Sequence, residues 1–161
     1  MNRSLVFRFL TFAGALLILA APTRAQWPFA APPTPGSQRS SMTSVRGKVN
    51  WLQTATRTAP SHGEQGYANV RATFDDLSHV FEGFKHTLYP QQVNYGANRL
   101  AELDAGLDIL AEAFANYEEA RNSGHALSPA LREMCQLLRQ GSALWLREFD
   151  KVCTELRVGR G

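Results

Sequence analysis

The sequence predicts an all-α protein, an antiparallel four-helix bundle preceded by a cleavable signal peptide and a proline-rich linker. Three observations predict this fold. The first residues have the layout of an export signal, the rest of the chain carries apolar residues at spacings of three and four, and the segments so defined are joined by short connections. Apolar residues at that spacing share one face of an α-helix. Successive helices with short connections favour antiparallel packing around one core.

Residues 1–25 are predicted to be a secretory signal peptide. Their first eight residues carry two arginines, Phe9 to Ala21 is a run of thirteen uncharged and mostly apolar residues, and Pro22 ends this run shortly before the small residue Ala25. Thirteen residues are fewer than the roughly 20 that a membrane-spanning helix needs. We therefore expect cleavage after Ala25, an exported protein that is either periplasmic or secreted, and no stable membrane insertion after cleavage.

The signal segment also carries all of the net charge. Arg3, Arg8 and Arg24 are its only ionisable side chains, so of the 17 basic and 14 acidic residues in the chain, fourteen of each remain from Gln26 onward. A mature chain close to neutral does not support binding to nucleic acid. Asn-x-Ser/Thr, the acceptor sequence for N-linked glycans, occurs only at Asn2, inside the signal. The chain from Gln26 onward therefore has no such acceptor, which favours a bacterial periplasmic or secreted protein.

Residues 26–37 are predicted to be a linker or tail. Their four prolines each remove a backbone donor and clash with the preceding turn of a helix. Trp27 and Phe29 are the large apolar residues of this segment. Two such groups in a tail either dock on the following domain or meet a partner, which makes both candidate interface residues.

Residues 38–158 are predicted to form the helical domain. Each of its four candidate helices carries one apolar stripe that faces the core. The helices cover about 38–59, 61–88, 91–122 and 128–159, with the stripes Met42, Val45, Val49, Leu52; Phe74, Leu77, Phe81, Phe84, Leu88; Val93, Ala97, Leu100, Leu103, Leu107, Leu110, Phe114, Tyr117; and Leu131, Met134, Leu138, Trp145, Phe149, Val152, Leu156.

The connections between these helices carry recognisable start signals. Ser61 and Glu64 are spaced to form a capping box at the start of the second helix. Ser128-Pro129 is predicted to open the last helix as N-cap and first-turn proline. The Tyr89-Pro90 step before the third helix is either a tight turn or a kink in one long helix.

Cys135 and Cys153 lie on one side of the last helix. Their separation of eighteen residues places them about 27 Å apart along the axis, too far for a disulfide within an intact helix. Two alternatives remain: apolar thiols at the edge of the core, or two symmetric bridges in a two-fold dimer within an oxidising compartment. Leu146 widens the apolar surface of this helix on the cysteine side. So wide an apolar surface predicts that the tail or a second protomer packs over it.

The second helix carries a stripe of carboxylates and imidazoles opposite its phenylalanine face. Asp75, His79, Glu82 and His86 follow one another at spacings of four, three and four. Such residues can present ligands to Zn or Cu on one side of a helix, but adjacent pairs alone make a weak site. The alternative is a solvated face with pairs of acidic and imidazole side chains.

The sequence contains no motif for covalent haem, a di-iron bundle, a catalytic nucleophile or a phosphate loop. We therefore predict no cofactor and no enzymatic activity. The expected function is that of a non-catalytic exported bundle acting through contact with an unknown protein partner or as a homodimer. The alternative is a periplasmic bundle that binds a metal or small ligand.

Overall fold

A computed structural model describes residues 32–160, which fold into four α-helices and one short 3-10 turn with no strand among them. The predicted all-α class and the four helices are confirmed. The predicted signal peptide, Trp27 and Phe29 lie outside the described residues. The helices are α1 (Pro35–Thr58), α2 (Gly63–His86), α3 (Pro90–Asn122) and α4 (Leu127–Glu155), and the 3-10 turn is Ala59–Ser61.

Helix α1 begins at Pro35, three residues earlier than predicted. Thr34 caps it: the Thr34 hydroxyl accepts a hydrogen bond from the Ser37 amide at 3.0 Å, and the Ser37 hydroxyl accepts one from the Thr34 amide at 3.0 Å. Pro35 occupies the first helical position, where the missing N–H has no intrahelical partner to lose. The last proline of the linker therefore starts the helix instead of preventing it.

Two predicted helix starts are wrong. The Ser61 hydroxyl donates to the Thr58 carbonyl at 2.7 Å and closes the 3-10 turn, so it does not cap α2, whose N-cap is His62 without a side-chain cap bond. Helix α4 begins at Leu127 after the N-cap Ala126, which leaves Ser128 inside the first turn. In both places the chain enters the helix by turn geometry and not by a hydroxyl cap.

The Tyr89-Pro90 step is a turn. Helix α2 ends at His86, α3 begins at Pro90, and the Tyr89 amide donates to the Gln92 side-chain oxygen at 2.9 Å. The rings of Phe74 in α2 and Phe114 in α3 lie 5.2 Å apart, a contact that one long kinked helix cannot make.

The predicted stripes form the core with few exceptions. Met42 and Val93 are half-buried, Ala97 is exposed, and the other stripe residues are buried. The inward position beside Ala97 belongs to Gly96, because a Cβ there would lie 2.7 Å from Leu156 Cδ2. The third stripe is therefore correct in its period and wrong by one residue near its start.

Aromatic rings fill the centre of the core. Phe81 lies 5.2 Å from Trp145, and Phe84 lies 5.0 Å from Phe149, each in an edge-to-face arrangement. The Trp145 indole N–H donates to the Leu103 carbonyl at 2.8 Å, so this large side chain has its polar atom satisfied. No buried side-chain nitrogen or oxygen in the described part of the chain lacks a hydrogen-bond partner.

No helix within residues 32–160 combines the length and apolar character needed to cross a membrane.

Candidate functional site

The predicted metal stripe lies on the exposed face of α2. Asp75, His79, Glu82 and His86 are all exposed. Its two carboxylates have cationic partners: Asp75 pairs with Arg71 at 3.3 Å, and Glu82 pairs with the Lys85 ammonium at 2.6 Å. Among the residues that the structure describes, no three His, Cys, Asp or Glu side chains come together around one metal position. These contacts support the alternative of a solvated face.

Lys85 links this stripe to α3. Its ammonium donates to both carboxylate oxygens of Asp104 at 2.9 Å. Partial burial alone lowers the pKa of Lys85, but the hydrogen bonds to Asp104 and Glu82 outweigh it and raise the pKa. Lys85 is therefore held as a cation between two carboxylates and stabilises the contact between α2 and α3.

Both cysteines are buried thiols. Cys135 is 2% exposed and Cys153 is 4% exposed, and neither is in a disulfide. Burial raises the pKa of Cys135 to about 11 and that of Cys153 to about 12. Thiols protonated at neutral pH are poor nucleophiles and poor metal ligands. The burial favours the core-thiol alternative, while the two-fold disulfide dimer stays a prediction that needs α4 to open locally.

Leu146, the third candidate interface residue on α4, is half-buried against the core. The wider apolar sector of this helix is therefore largely used internally. Leu144, on the other flank, is 46% exposed.

Two stacked tyrosines join α2 to α3. The rings of Tyr67 and Tyr117 lie 4.6 Å apart, and the Tyr67 hydroxyl donates to Glu118. Burial first, and then the hydrogen bond to Glu118, raise the pKa of Tyr67 to about 12. Burial and the nearby Glu64 also raise the pKa of Tyr117. Both phenols keep their protons at neutral pH, so this cluster is suited to structure and not to acid–base catalysis.

Arg99 of α3 joins three carboxylates. Its guanidinium lies 2.5 Å from Glu102, 3.5 Å from Glu148 and 3.4 Å from Glu155. A hydrogen bond from Lys151 is the main cause that lowers the pKa of Glu148, and Arg99 adds to it. Exposed pairs of this kind are worth about 0–1 kcal/mol each, but a network around one arginine fixes the register of α3 against α4.

A network of hydrogen bonds made by two glutamine side chains lies at one end of the bundle and was not predicted from the sequence. The Gln38 side chain is fully buried; its amide donates to the Thr87 carbonyl at 3.0 Å and to Gln92 at 2.7 Å, and its oxygen accepts from the Gly159 amide at 2.8 Å. Gln92 in turn donates to the Leu156 carbonyl at 2.8 Å. Two glutamines therefore bond all four chain segments that meet at this end.

Exposed aromatic side chains were also missed. Trp51 on α1 is 68% exposed and Tyr95 on α3 is 81% exposed. Neither falls on the apolar stripe of its helix, and that position off the stripe was the available sequence signal. Such residues are enriched where proteins contact one another.

Comparison of the chain with protein-family models, with curated proteins and with solved structures finds no match.

Proposed function

We propose that the chain is an exported helical bundle that acts through contact with another protein or with its own copies, and not through catalysis. The observation that carries this proposal is the exposure of Trp51 at 68% and Tyr95 at 81% on helices whose core faces are already filled. The core does not need these rings. Tryptophan and tyrosine are the side chains most often found at the centre of protein contacts.

An antiparallel arrangement of the four helices is part of this proposal. Arg46 of α1 pairs with Asp150, whereas Arg39, seven residues earlier, donates to the carbonyl of Gly159, nine residues later than Asp150. Between α2 and α3, Lys85 bonds Asp104 while Tyr67 stacks on Tyr117. In both pairs of helices, residue numbers rise on one helix as they fall on the other.

The ion pairs of Arg99 and the indole of Trp145 support an antiparallel arrangement of α3 and α4 as well. Trp145 bonds the Leu103 carbonyl, while Gly141 faces Leu110 so closely that a Cβ would collide with its Cδ2. An up-down-up-down bundle encloses its core on all sides. Its function is then carried by the outer surface.

The state of the reactive groups supports a role without catalysis. The thiols and the clustered tyrosines hold their protons, and the carboxylates of the histidine stripe are in ion pairs. Within residues 32–160 we find no cluster of metal ligands. The Ser61 hydroxyl lies 3.1 Å from a ring nitrogen of His62, but it donates its proton to the Thr58 carbonyl at 2.7 Å. The proposed location, periplasmic or secreted, rests on the predicted signal peptide of residues 1–25.

Site-specific photo-crosslinking in intact cells tests the proposal. A photoreactive residue placed at Trp51, Tyr95 or Leu144 is expected to give a discrete adduct with one partner or with a second copy. The same probe at Gln136 or Gln140, which are exposed and polar on α4, is the matched control. Adducts no stronger at the three apolar positions than at the two glutamines would contradict the proposal.

A further inference from the structure

Two helices of the bundle, α1 and α3, differ sharply in charge. Helix α1 contains four basic side chains and no acidic one, whereas α3 contains six carboxylates and two arginines. Each of these helices packs along α2 and α4, which leaves them at opposite corners. The part of the chain from Gln26 onward is otherwise balanced in charge, so one corner is positive and the other is negative.

Both helices carry charges without a partner of opposite sign among the described residues. On α1, Arg46 and Lys48 are paired with Asp150 and Asp76, and Arg39 donates to the carbonyl of Gly159. Arg57 is exposed, and no carboxylate of residues 32–160 lies within ion-pair distance of it. On α3 the exposed carboxylates without a basic partner among those same residues are Asp108, Glu112 and Glu119.

The outer faces of both helices also carry rows of small side chains. On the side of α1 that carries Trp51 lie several small uncharged residues, and one of them, the half-buried Gly47, has no atom within 4 Å of a Cβ position. The exposed surface of α3 carries a row of alanines at spacing four. Small side chains allow two helices to approach closely. The two rows are Ser40, Thr43, Gly47, Thr54 and Ala97, Ala101, Ala105.

Ion pairs to α4 set the relative level of the two corners. Arg46 of α1 pairs with Asp150, and Arg99 of α3 pairs with Glu148 and Glu155, which lie on either side of Asp150 along the same helix. Arg46 and Arg99 are therefore level to within about one turn. In the proposed antiparallel bundle, α1 and α3 also run in the same direction.

This level brings complementary groups together when one copy is moved sideways onto another. Trp51 is five residues after Arg46 and is level with position 104, between the exposed Ala101 and Ala105. Arg57 is eleven residues after Arg46 and is level with position 110, between the exposed Asp108 and Glu112. A sideways shift without rotation therefore brings Trp51 to the level of the two alanines and Arg57 to the level of the two carboxylates.

We propose that α1 of one copy docks on α3 of the next, with Trp51 seated over Ala101 and Ala105 and with Arg57 bound by Asp108 and Glu112. This proposal rests on the proposed function and names its partner as a second copy of the chain. The contact joins two different surfaces, so a pair of docked copies leaves one surface of each kind free. Such an interface produces open chains of copies and not a closed dimer.

Two variants separate the halves of the contact. Trp51→Ala/Arg57→Glu removes the α1 surface and leaves the α3 surface intact, whereas Asp108→Lys/Glu112→Lys does the reverse. All four positions are exposed, so the fold is expected to survive, which circular dichroism checks. Arg132→Glu and Glu133→Lys, exposed positions on α4, are the matched controls for charge.

Sedimentation of the exported protein under reducing conditions is the test. At low salt the mean mass of the wild type should rise with concentration beyond that of a dimer, and 0.5 M salt should weaken this association because the charges are exposed. Either double variant should lower the association constant at least about tenfold, since reversal places like charges together. The controls should associate as the wild type does.

Mixing the two variants gives the sharpest result. Each lacks a different half, so the mixture should form a complex at concentrations where neither variant associates alone. A wild type that stays monomeric to about 1 mM, or a dimer that the variants do not change, would overturn the proposal. Photo-crosslinks from Tyr95 or Leu144 to another protein would in that case still support the proposed function, so the two failures are distinguishable.

Discussion

At the scale of single residues, the two thiols illustrate how burial controls chemistry. Cys135 and Cys153 sit in the core with pKa values of about 11 and about 12. Because thiolate is the reactive form, Ellman's reagent at pH 8 is expected to react slowly with the native protein and to titrate both thiols once the chain is unfolded. Fast reaction of either thiol in the native state would show that α4 opens or that its thiol is more exposed.

The same pKa shifts predict an alkaline loss of stability. A group whose pKa is higher in the folded chain contributes stability below its unfolded pKa and loses it as the pH rises toward the folded value. For the thiols this window runs from about 9 to about 11–12. The free energy of unfolding, measured with denaturant at several pH values within this window, should fall as the pH rises. Tyr67 contributes in an overlapping range, so a smaller fall in Cys135→Ala/Cys153→Ala isolates the part due to the thiols.

A glycine in α2 carries the third prediction at this scale. A Cβ at Gly66 would lie 2.6 Å from Ala59 Cα and closer still to its carbonyl oxygen, both rigid backbone atoms of the 3-10 turn. Gly66→Ala should therefore destabilise the protein by about 1–3 kcal/mol despite the better helix propensity of alanine. Gly83→Ala, on the same helix with no atom within 4 Å, should instead stabilise by about 0.5–1 kcal/mol. Equal effects on the denaturation midpoint would contradict the proposed steric cause.

At the scale of elements, Gln38 ties the start of α1 to the other segments at its end of the bundle. Replacing it by leucine leaves the half-buried Thr87 carbonyl and the buried Gly159 amide without their partner. We expect a loss of about 2–5 kcal/mol in the free energy of unfolding, because each unsatisfied group costs about 1–3 kcal/mol. Gln53→Leu, a half-buried glutamine on the same helix, is the control and should change stability little. Similar losses of stability from both variants would exclude the hydrogen bonds of Gln38 as the cause.

The helices were predictable from the sequence because each buries one continuous stripe of period 3.6. Their ends were not, because a serine before a helix has more than one possible acceptor. Ser61 bonds the Thr58 carbonyl three residues earlier, and that choice depends on how the 3-10 turn packs. Gln38 looks like an ordinary polar residue in the pattern. Its partner Gly159 lies 121 residues away, a distance that no local spacing reports.

The candidate site was predictable only in its residue types. Histidines and acids at helical spacing on α2 are on one face as expected, but Arg71 and Lys85 neutralise the carboxylates from within the same helix. Exposed Trp51 and Tyr95 lie off the apolar stripes, where a sequence pattern gives no reason for them. The pairs within α2 have local spacings of three and four, whereas the bond from Lys85 to Asp104 of α3 is known only from the assembled helices.

At the scale of the whole molecule, the mass of the exported protein connects the signal, the thiols and the assembly. The predicted cleavage after Ala25 would give a chain that starts at Gln26. Because both thiols are buried, we expect the intact, non-reduced mass to be that of one chain with two free thiols. Any association in solution is then non-covalent and sensitive to salt. A covalent dimer split by reduction would mean that α4 presents Cys135 and Cys153 to a second copy, and the surface of α4, not those of α1 and α3, would hold the copies together.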